Sequence, residues 1–184
     1  MITVDSLLDP RLITTLIEGG LAVLRTDTIY GIVARADREA SVERIFTLKQ
    51  RSPDKPLIVL VASVADIPYI DLKAKTRYTQ LSAEQPTSIV LPHPSAPIWL
   101  TRGQGSVAYR VPQRADLREL IAHTGPLVAP SANPQGLIPA ANIHEAIGYF
   151  GDTVDVYVDS GDVPRDTPPS RIVELRADEL RIIR

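Results

Sequence analysis

The chain contains no cysteine. Disulfide frameworks and thiolate metal sites are thereby excluded, and the compatible setting is a reducing one, so a cytoplasmic protein is expected. Aromatic residues make up only 5% of the sequence, with a single tryptophan, which leaves few platforms on which single-stranded nucleic acid could stack. Lys and Arg total 20 against 22 Asp and Glu, a formal net charge of −2. No global basic field therefore advertises nucleic-acid binding, and any cationic site must be local. No stretch approaches the roughly 20 apolar residues that cross a bilayer. The opening MITVDSLLDPRL has neither a basic start nor a long apolar run, so it does not read as a signal peptide. Familiar catalytic signatures are missing as well: there is no Gly-rich P-loop, no GxGxxG and no HExxH. His93, His123 and His144 lack metal-ligand spacing and read as surface or helix residues, so no protein-held metal is expected. Ser131 has no neighbouring glycine elbow, which argues against a serine hydrolase.

What is present fits one ordinary globular domain over residues 1–184, with 44% hydrophobic residues and enough length to bury a real core. Asp9-Pro10 starts a helix, with Leu12, Ile13, Leu16 and Ile17 on one apolar face and Gly19-Gly20 behind it. Leu21–Leu24 reads as a strand. A second helix covers Arg38–Lys49, with Val42, Ile45 and Phe46 inward. Leu57–Val61 is continuous, β-branched and bounded by proline, the pattern of a buried strand. Ser88–Leu91, Val107–Val111, Leu127–Ala129 and an alternating Val154–Val158 read as further strands. Ala115–His123 and Ile143–Phe150 read as helices, and RIVEL-RADE-LRII as a terminal hairpin. Helices and strands interleave, so the fold class is α/β, with a mixed rather than purely parallel sheet.

Four polar, conformationally restricted loops lie at strand ends, where α/β proteins build their sites. They are RTDTIYG (Arg25–Gly31), KQRSPDKP (Lys49–Pro56), PSANPQG (Pro130–Gly136) and PPS (Pro168–Ser170). Each has a plain structural reading. Lys49 and Arg51 could complement a helix C-terminus, and Lys55 could be solvated. Asp27 or Thr28 could cap a strand-to-helix turn. Ser131 and Asn133 are ordinary turn formers. Two prolines stiffen the KQRSPDKP loop, however, and fixed cations suit a polyphosphate: Arg51 as a planar fork, Lys49 and Lys55 as point charges. Arg110, set among strand-like apolar residues, needs an anionic partner, either a protein carboxylate or a substrate carboxylate.

Taken in order, six segments resemble the YrdC-like family, the threonylcarbamoyl-adenylate synthases. They are RTDTIYG, KQRSPDKPLIVLV, PTSIVLP, VAYRVP, SANPQG and PSRIVEL. The resemblance covers about Ala22 to the C-terminus, and the length is similar to the short bacterial form. Departures are Arg25 where proline is usual, AEQP (Ala83–Pro86) in place of W-P-G-P, Ser88 for threonine, Gln135 for serine and Arg171 for threonine. The resemblance implies a single YrdC-like domain: a twisted mixed β-sheet, surrounding helices and a large positively charged cleft. It implies that L-threonine, bicarbonate or CO2 and ATP give threonylcarbamoyl-AMP and pyrophosphate, for the threonylcarbamoyl-adenosine modification of tRNA.

On that resemblance Lys49 and Arg51 are the expected catalytic residues. They hold the ATP triphosphate together with Lys55, while Ser88, Ser131 and Asn133 hold the nucleotide and Arg184 closes over it. Thr28, Ser170 and Arg110 contact threonine. Mg2+ enters bound to the ATP phosphates. The proline-rich DVPRDTPPS segment is either a lid or a plain surface loop. A separate threonylcarbamoyl-transferase complex is the expected downstream partner, a tRNA contact is a further expectation, and no membrane partner is expected. One competing reading is a non-catalytic module that grips RNA through its cations. Another is a carbamoyl-adenylate enzyme, whose domains usually sit within much longer chains.

Overall fold

The computed structural model describes residues 1–176 and 179–184. The Asp9 carboxylate accepts the Arg11 amide at 2.8 Å, capping helix α1 (Pro10–Ile17), and Pro10 sits in its first turn where no amide partner is needed. Leu12 and Leu16 are fully buried, but Ile17 stays 39% exposed: it ends the helix beyond the reach of the sheet. The remaining helices are α2 (Glu39–Lys49), α3 (Leu72–Glu84), α4 (Ile98–Thr101), α5 (Ala115–Thr124) and α6 (Ile143–Phe150). The strands are β1 (Ile2–Val4), β2 (Ala22–Arg25), β3 (Tyr30–Arg35), β4 (Ile58–Leu60) and β5 (Thr87–Pro92), followed by β6 (Ser106–Arg110), β7 (Leu127–Val128), β8 (Val156–Val158), β9 (Arg171–Arg176) and β10 (Glu179–Ile182).

The strands form one ten-stranded sheet in the order β1-β8-β2-β3-β7-β4-β6-β5-β9-β10. It is mixed: β1/β8, β8/β2, β4/β6 and β5/β9 run parallel, and the other neighbours antiparallel. Successive residues of a strand point to opposite faces, and each face has its own core. Ala22, Leu24 and Val33 pack with α1 and α5 residues such as Leu12, Leu16, Leu117 and Leu120. Val23, Ile32 and Ala34 pack on the other side with Val42, Ile45 and Phe46 of α2, Tyr78 and Leu81 of α3 and Phe150 of α6.

Two expectations are corrected. The segment after β2 is not a strand-to-helix turn: residues 26–29 close a hairpin, and Tyr30 and Gly31 already belong to β3. Val156, Tyr157 and Val158 do not alternate between core and solvent, since all three are buried. Their strand lies between β1 and β2 and is covered on both faces. The terminal hairpin forms as β9 and β10, and its two central residues, 177 and 178, lie outside the described ones.

Candidate active site

Six chain segments line a cavity of about 420 Å3. They are the β2–β3 turn, the loop entering β4, the end of β6, the segment after β7, the loop entering β9 and the C-terminal Arg184. The charged side chains of the lining are Arg51, Arg110, Arg165 and Arg184, and no carboxylate side chain is among the described lining residues. Thr26, Thr28, Ser131 and Ser170 supply hydroxyls.

The β2–β3 turn is built by Thr26. Its hydroxyl donates to the Ile29 carbonyl at 2.8 Å, accepts the Thr28 amide at 3.2 Å and lies 3.0 Å from the Thr28 hydroxyl. The sequence singled out Thr28 and passed over Thr26. The signal was there, because a threonine hydroxyl readily accepts the amide two residues on and so builds a turn. Asp27 points the other way, with its side chain only 2% exposed and Oδ1 3.2 Å from the Arg110 guanidinium, itself 4% exposed. The question left open by the sequence is thereby answered: Arg110 has a protein carboxylate as partner. Its Nε nevertheless has no hydrogen-bond partner, and the residue lines the cavity.

The cationic loop owes its shape to the end of α2. Gln50 adopts the left-handed conformation, φ 49°. The amides of Gln50 and Arg51 return to Thr47 and Phe46 at 3.1 and 3.0 Å, a helix stop of the Schellman type. This reversal sends Lys49 and Arg51 to different places. Lys49 is 2% exposed, and its ammonium donates to the carbonyl oxygens of Ser131 and Asn133 and to Asn133 Oδ1. It sits beneath the SANPQG loop, not among the cavity-lining residues. Burial and the nearby Arg51 charge push its amine down to about 7. Arg51 turns into the cavity. Its guanidinium donates to the Lys55 and Pro56 carbonyls, both at 3.0 Å, so it also folds its own loop.

The other expected residues divide in the same way. Ser131 and Ser170 line the cavity. Ser88 is fully buried behind Ser170, the two hydroxyls 3.0 Å apart. Asn133 spends its amide on the Pro134 and Leu137 carbonyls at 3.0 and 2.6 Å, so its role in this geometry is to shape the loop. Lys55 is exposed on the rim and absent from the lining. Arg184 lines the cavity, donates to the Ser170 carbonyl at 3.1 Å and returns its backbone to Ile172 at 2.8 Å. Burial lowers the proton affinity of Arg51, Arg110 and Arg184. Arg184 depresses Arg51 further, and Arg110 depresses Arg184. Three-residue clusters of His, Asp and Glu suited to a metal are absent among the described residues, and no helix there is long and apolar enough to cross a membrane.

The proline-rich segment forms a wall of the cavity through Val163, Pro164, Arg165, Thr167 and Pro169. The Tyr30 hydroxyl pins its start, donating to the Gly161 carbonyl at 2.9 Å and accepting the Ser160 amide at 3.1 Å.

Comparison with known proteins matches residues 14–184 to the profile of the Sua5/YciO/YrdC family, described as "Telomere recombination". The chain belongs to this family. A threonylcarbamoyl-AMP synthase of Cellvibrio japonicus (strain Ueda107) is 35% identical to it over 163 residues, 86% of either chain. A protein of the same name from Enterobacter sp. (strain 638) is 39% identical over 140 residues, 72% of this chain and 74% of that one. The crystal structure of P. abyssi Sua5 complexed with L-threonine is similar over 100% of this chain, with a TM-score of 0.85 and 28% identity. The present chain spans 56% of that protein's length. E. coli YciO, 19% identical with a TM-score of 0.81, shares the fold.

Three departures from the family pattern have visible consequences. Arg171 faces away from the cavity, donating to the Leu81 carbonyl at 2.8 Å and pairing with Glu84 at 3.4 Å, so it fastens β9 to the end of α3. Arg25 reaches the Asp162 carbonyl at 3.2 Å and helps hold the proline-rich wall. Gln135 accepts the Ser52 amide at 2.9 Å while its own amide donates to the Lys49 carbonyl at 2.6 Å. It thus joins the SANPQG loop to the cationic loop.

Proposed function

We propose that the cavity is the active site of a threonylcarbamoyl-AMP synthase. The carrying observation is the convergence of Arg51, Arg110 and Arg184 with Thr28, Ser131 and Ser170, drawn from well-separated motifs, around one space of small-molecule size. In this reading L-threonine takes up CO2, or bicarbonate with loss of water, on its amino nitrogen to give a carbamate. A carbamate oxygen attacks the α-phosphorus of ATP, the bond from the α-phosphorus to its bridging oxygen breaks, and pyrophosphate leaves with that oxygen. The product is threonylcarbamoyl-AMP.

No protein nucleophile is required, and catalysis is positioning plus charge stabilisation. Arg51 and Arg184 meet the triphosphate, and a polyanion between these mutually repelling guanidinium groups relieves their repulsion. Arg110 turns the edge not engaged by Asp27 toward the threonine carboxylate, with Thr28 and Ser170 beside it. Ser131 contacts the nucleotide. Lys49, Asn133 and Ser88 act from behind, by holding the loops that present these groups, and Lys55 adds charge at the rim. A lining of arginines and hydroxyls suits an anion and not a protein-held cation, so Mg2+ arrives as part of the MgATP substrate. The adenylate then passes to a separate complex that modifies tRNA. A non-catalytic RNA module fits less well, because the cavity is bounded by a wall and the one aromatic ring among its described lining residues, Tyr30, is fully buried.

The test is pyrophosphate release from ATP and bicarbonate with threonine, with serine and without amino acid. Threonine-dependent release is expected. Release indifferent to threonine, or salt-sensitive tRNA binding with no turnover, rejects the proposal.

A further inference from the structure

We infer that Arg165 is an additional triphosphate-binding residue, held by Glu145 until a polyphosphate draws it inward. This rests on reading the cavity as an ATP site. Of the four lining arginines, Arg110 is buried against Asp27, Arg51 is bonded to its own loop and Arg184 is bonded to the Ser170 carbonyl. Arg165 differs. It pairs with Glu145 alone among the described contacts, and the two side chains are 61% and 31% exposed. Exposed ion pairs of this kind are weak and readily exchanged. A polyphosphate offers more charge and a bidentate match to the guanidinium fork.

The segment bearing Arg165 is arranged for such a shift. Val163 is buried and its amide donates to the Ala141 carbonyl at 2.8 Å. At the far end Ser170 is buried against Ser88. Between these anchors residues 164–166, 168 and 169 are exposed. Pro164, Pro168 and Pro169 stiffen the stretch, so it moves as a piece. Glu145 loses little when Arg165 leaves. Its other oxygen accepts the Ala141 amide at 2.9 Å, and it stands in the first turn of α6, where a carboxylate is favoured.

Glu145 is therefore a competitor of the phosphate, and substitutions at the two positions act in opposite directions. The experiment is calorimetric titration of inorganic tripolyphosphate into wild type, Arg165→Ala, Arg165→Lys and Glu145→Gln at low salt, with thermal melts to confirm folding. Arg165→Ala is expected to weaken binding about tenfold, with lysine intermediate, as for loss of one charge-assisted contact. Glu145→Gln is expected to tighten it by about two- to threefold. Unchanged binding in Arg165→Ala overturns the inference. So does equal weakening in Arg165→Ala and Glu145→Gln, the result a passive clamp on the wall gives, and so does absence of tripolyphosphate binding by wild type. The ATP reading itself stands or falls separately, on threonine-dependent pyrophosphate release.

Discussion

Asp27 and Arg110 approach to 3.2 Å with both side chains almost wholly withdrawn from solvent, although Asp27 Oδ1 and Arg110 Nε find no hydrogen-bond partner. Such a pair tolerates joint replacement better than the loss of one member, because a lone buried charge keeps its desolvation cost without the attraction that offset it. Asp27→Leu and Arg110→Met are each expected to lose about 3–5 kcal/mol of stability, while the double variant Asp27→Leu/Arg110→Met recovers most of it. Urea denaturation of the four proteins gives the coupling. In the folded double variant the threonine KM should rise sharply with the ATP KM little changed. If each single variant loses under 1 kcal/mol, the pair is not the buried contact described.

Lys49 makes stability depend on pH in a defined direction. Its folded amine is lowered to about 7 from an ordinary value of 10.5, by burial first and the Arg51 charge second. Between those values the unfolded chain binds the extra proton. Stability therefore rises with pH through this window, by at most about 1.4 kcal/mol per unit, and is lowest below pH 7 where both states are protonated. The carbonyl oxygens around the ammonium oppose the shift and reduce the slope. Above pH 10 the sign reverses: burial raises Tyr78, Tyr109 and Tyr157 to about 12, so the unfolded chain loses their protons first. Denaturant midpoints from pH 6 to 11 should pass through a maximum, and Lys49→Met should flatten the rising limb.

Much of this architecture was legible because burial leaves a period in the sequence. The apolar stripes of α1, α2, α5 and α6 and the continuous run at β4 each betray the face they present. Four elements left no such trace: the short β1 and α4, and also α3 and β3. Helix α3 buries only Tyr78 and Leu81, too few to mark a stripe. Strand β3 begins inside the RTDTIYG motif, and Gly31 there looked like a turn residue. It serves close approach instead, since a Cβ at Gly31 would stand 3.1 Å from the Pro130 carbonyl. At the cavity, the motifs named loops that the structure brings together but not the direction of each side chain. Lys49 and Arg51 differ by one left-handed residue, Gln50, and that turn puts one under the loop and the other in the cavity. Asp27 as the partner of Arg110 depends on the β2–β3 turn meeting the end of β6, although β3, β7 and β4 separate β2 from β6 in the sheet, and no local pattern encodes that meeting.

Gln135 couples two loops by two bonds, its side-chain oxygen to the Ser52 amide and its backbone amide to the Lys49 carbonyl, and only the first depends on the side chain. Replacing it with alanine frees the Ser52 amide, accepted at 2.9 Å, at a cost of about 1 kcal/mol for an exposed hydrogen bond. Hydrogen exchange at Ser52 should quicken in Gln135→Ala, and the ATP KM should rise a few-fold with the threonine KM unchanged. Glutamate at this position keeps the acceptor and should preserve the Ser52 protection. Equal exchange in wild type and alanine variant would dissolve the side-chain link between the loops.

Arg51 has two duties that substitution can separate. Its guanidinium donates to the Lys55 and Pro56 carbonyls, and it also lines the cavity, where in the proposed reaction charge develops on the phosphates as pyrophosphate leaves. Arg51→Ala removes both and should lower kcat by about 10²–10³-fold, the scale of losing one donor to a developing anion. Arg51→Lys keeps a charge without the planar fork. If the loop contacts dominate, lysine should fail as badly as alanine, and hydrogen exchange at Lys55 and Leu57 should rise in both. If charge at the phosphate dominates, lysine should recover at least tenfold in kcat while exchange stays elevated. The second pattern is expected, because carbonyl contacts at a rim reorganise cheaply, whereas a missing cation beside a leaving pyrophosphate is felt at the transition state. Full turnover in Arg51→Ala would remove this side chain from the reaction.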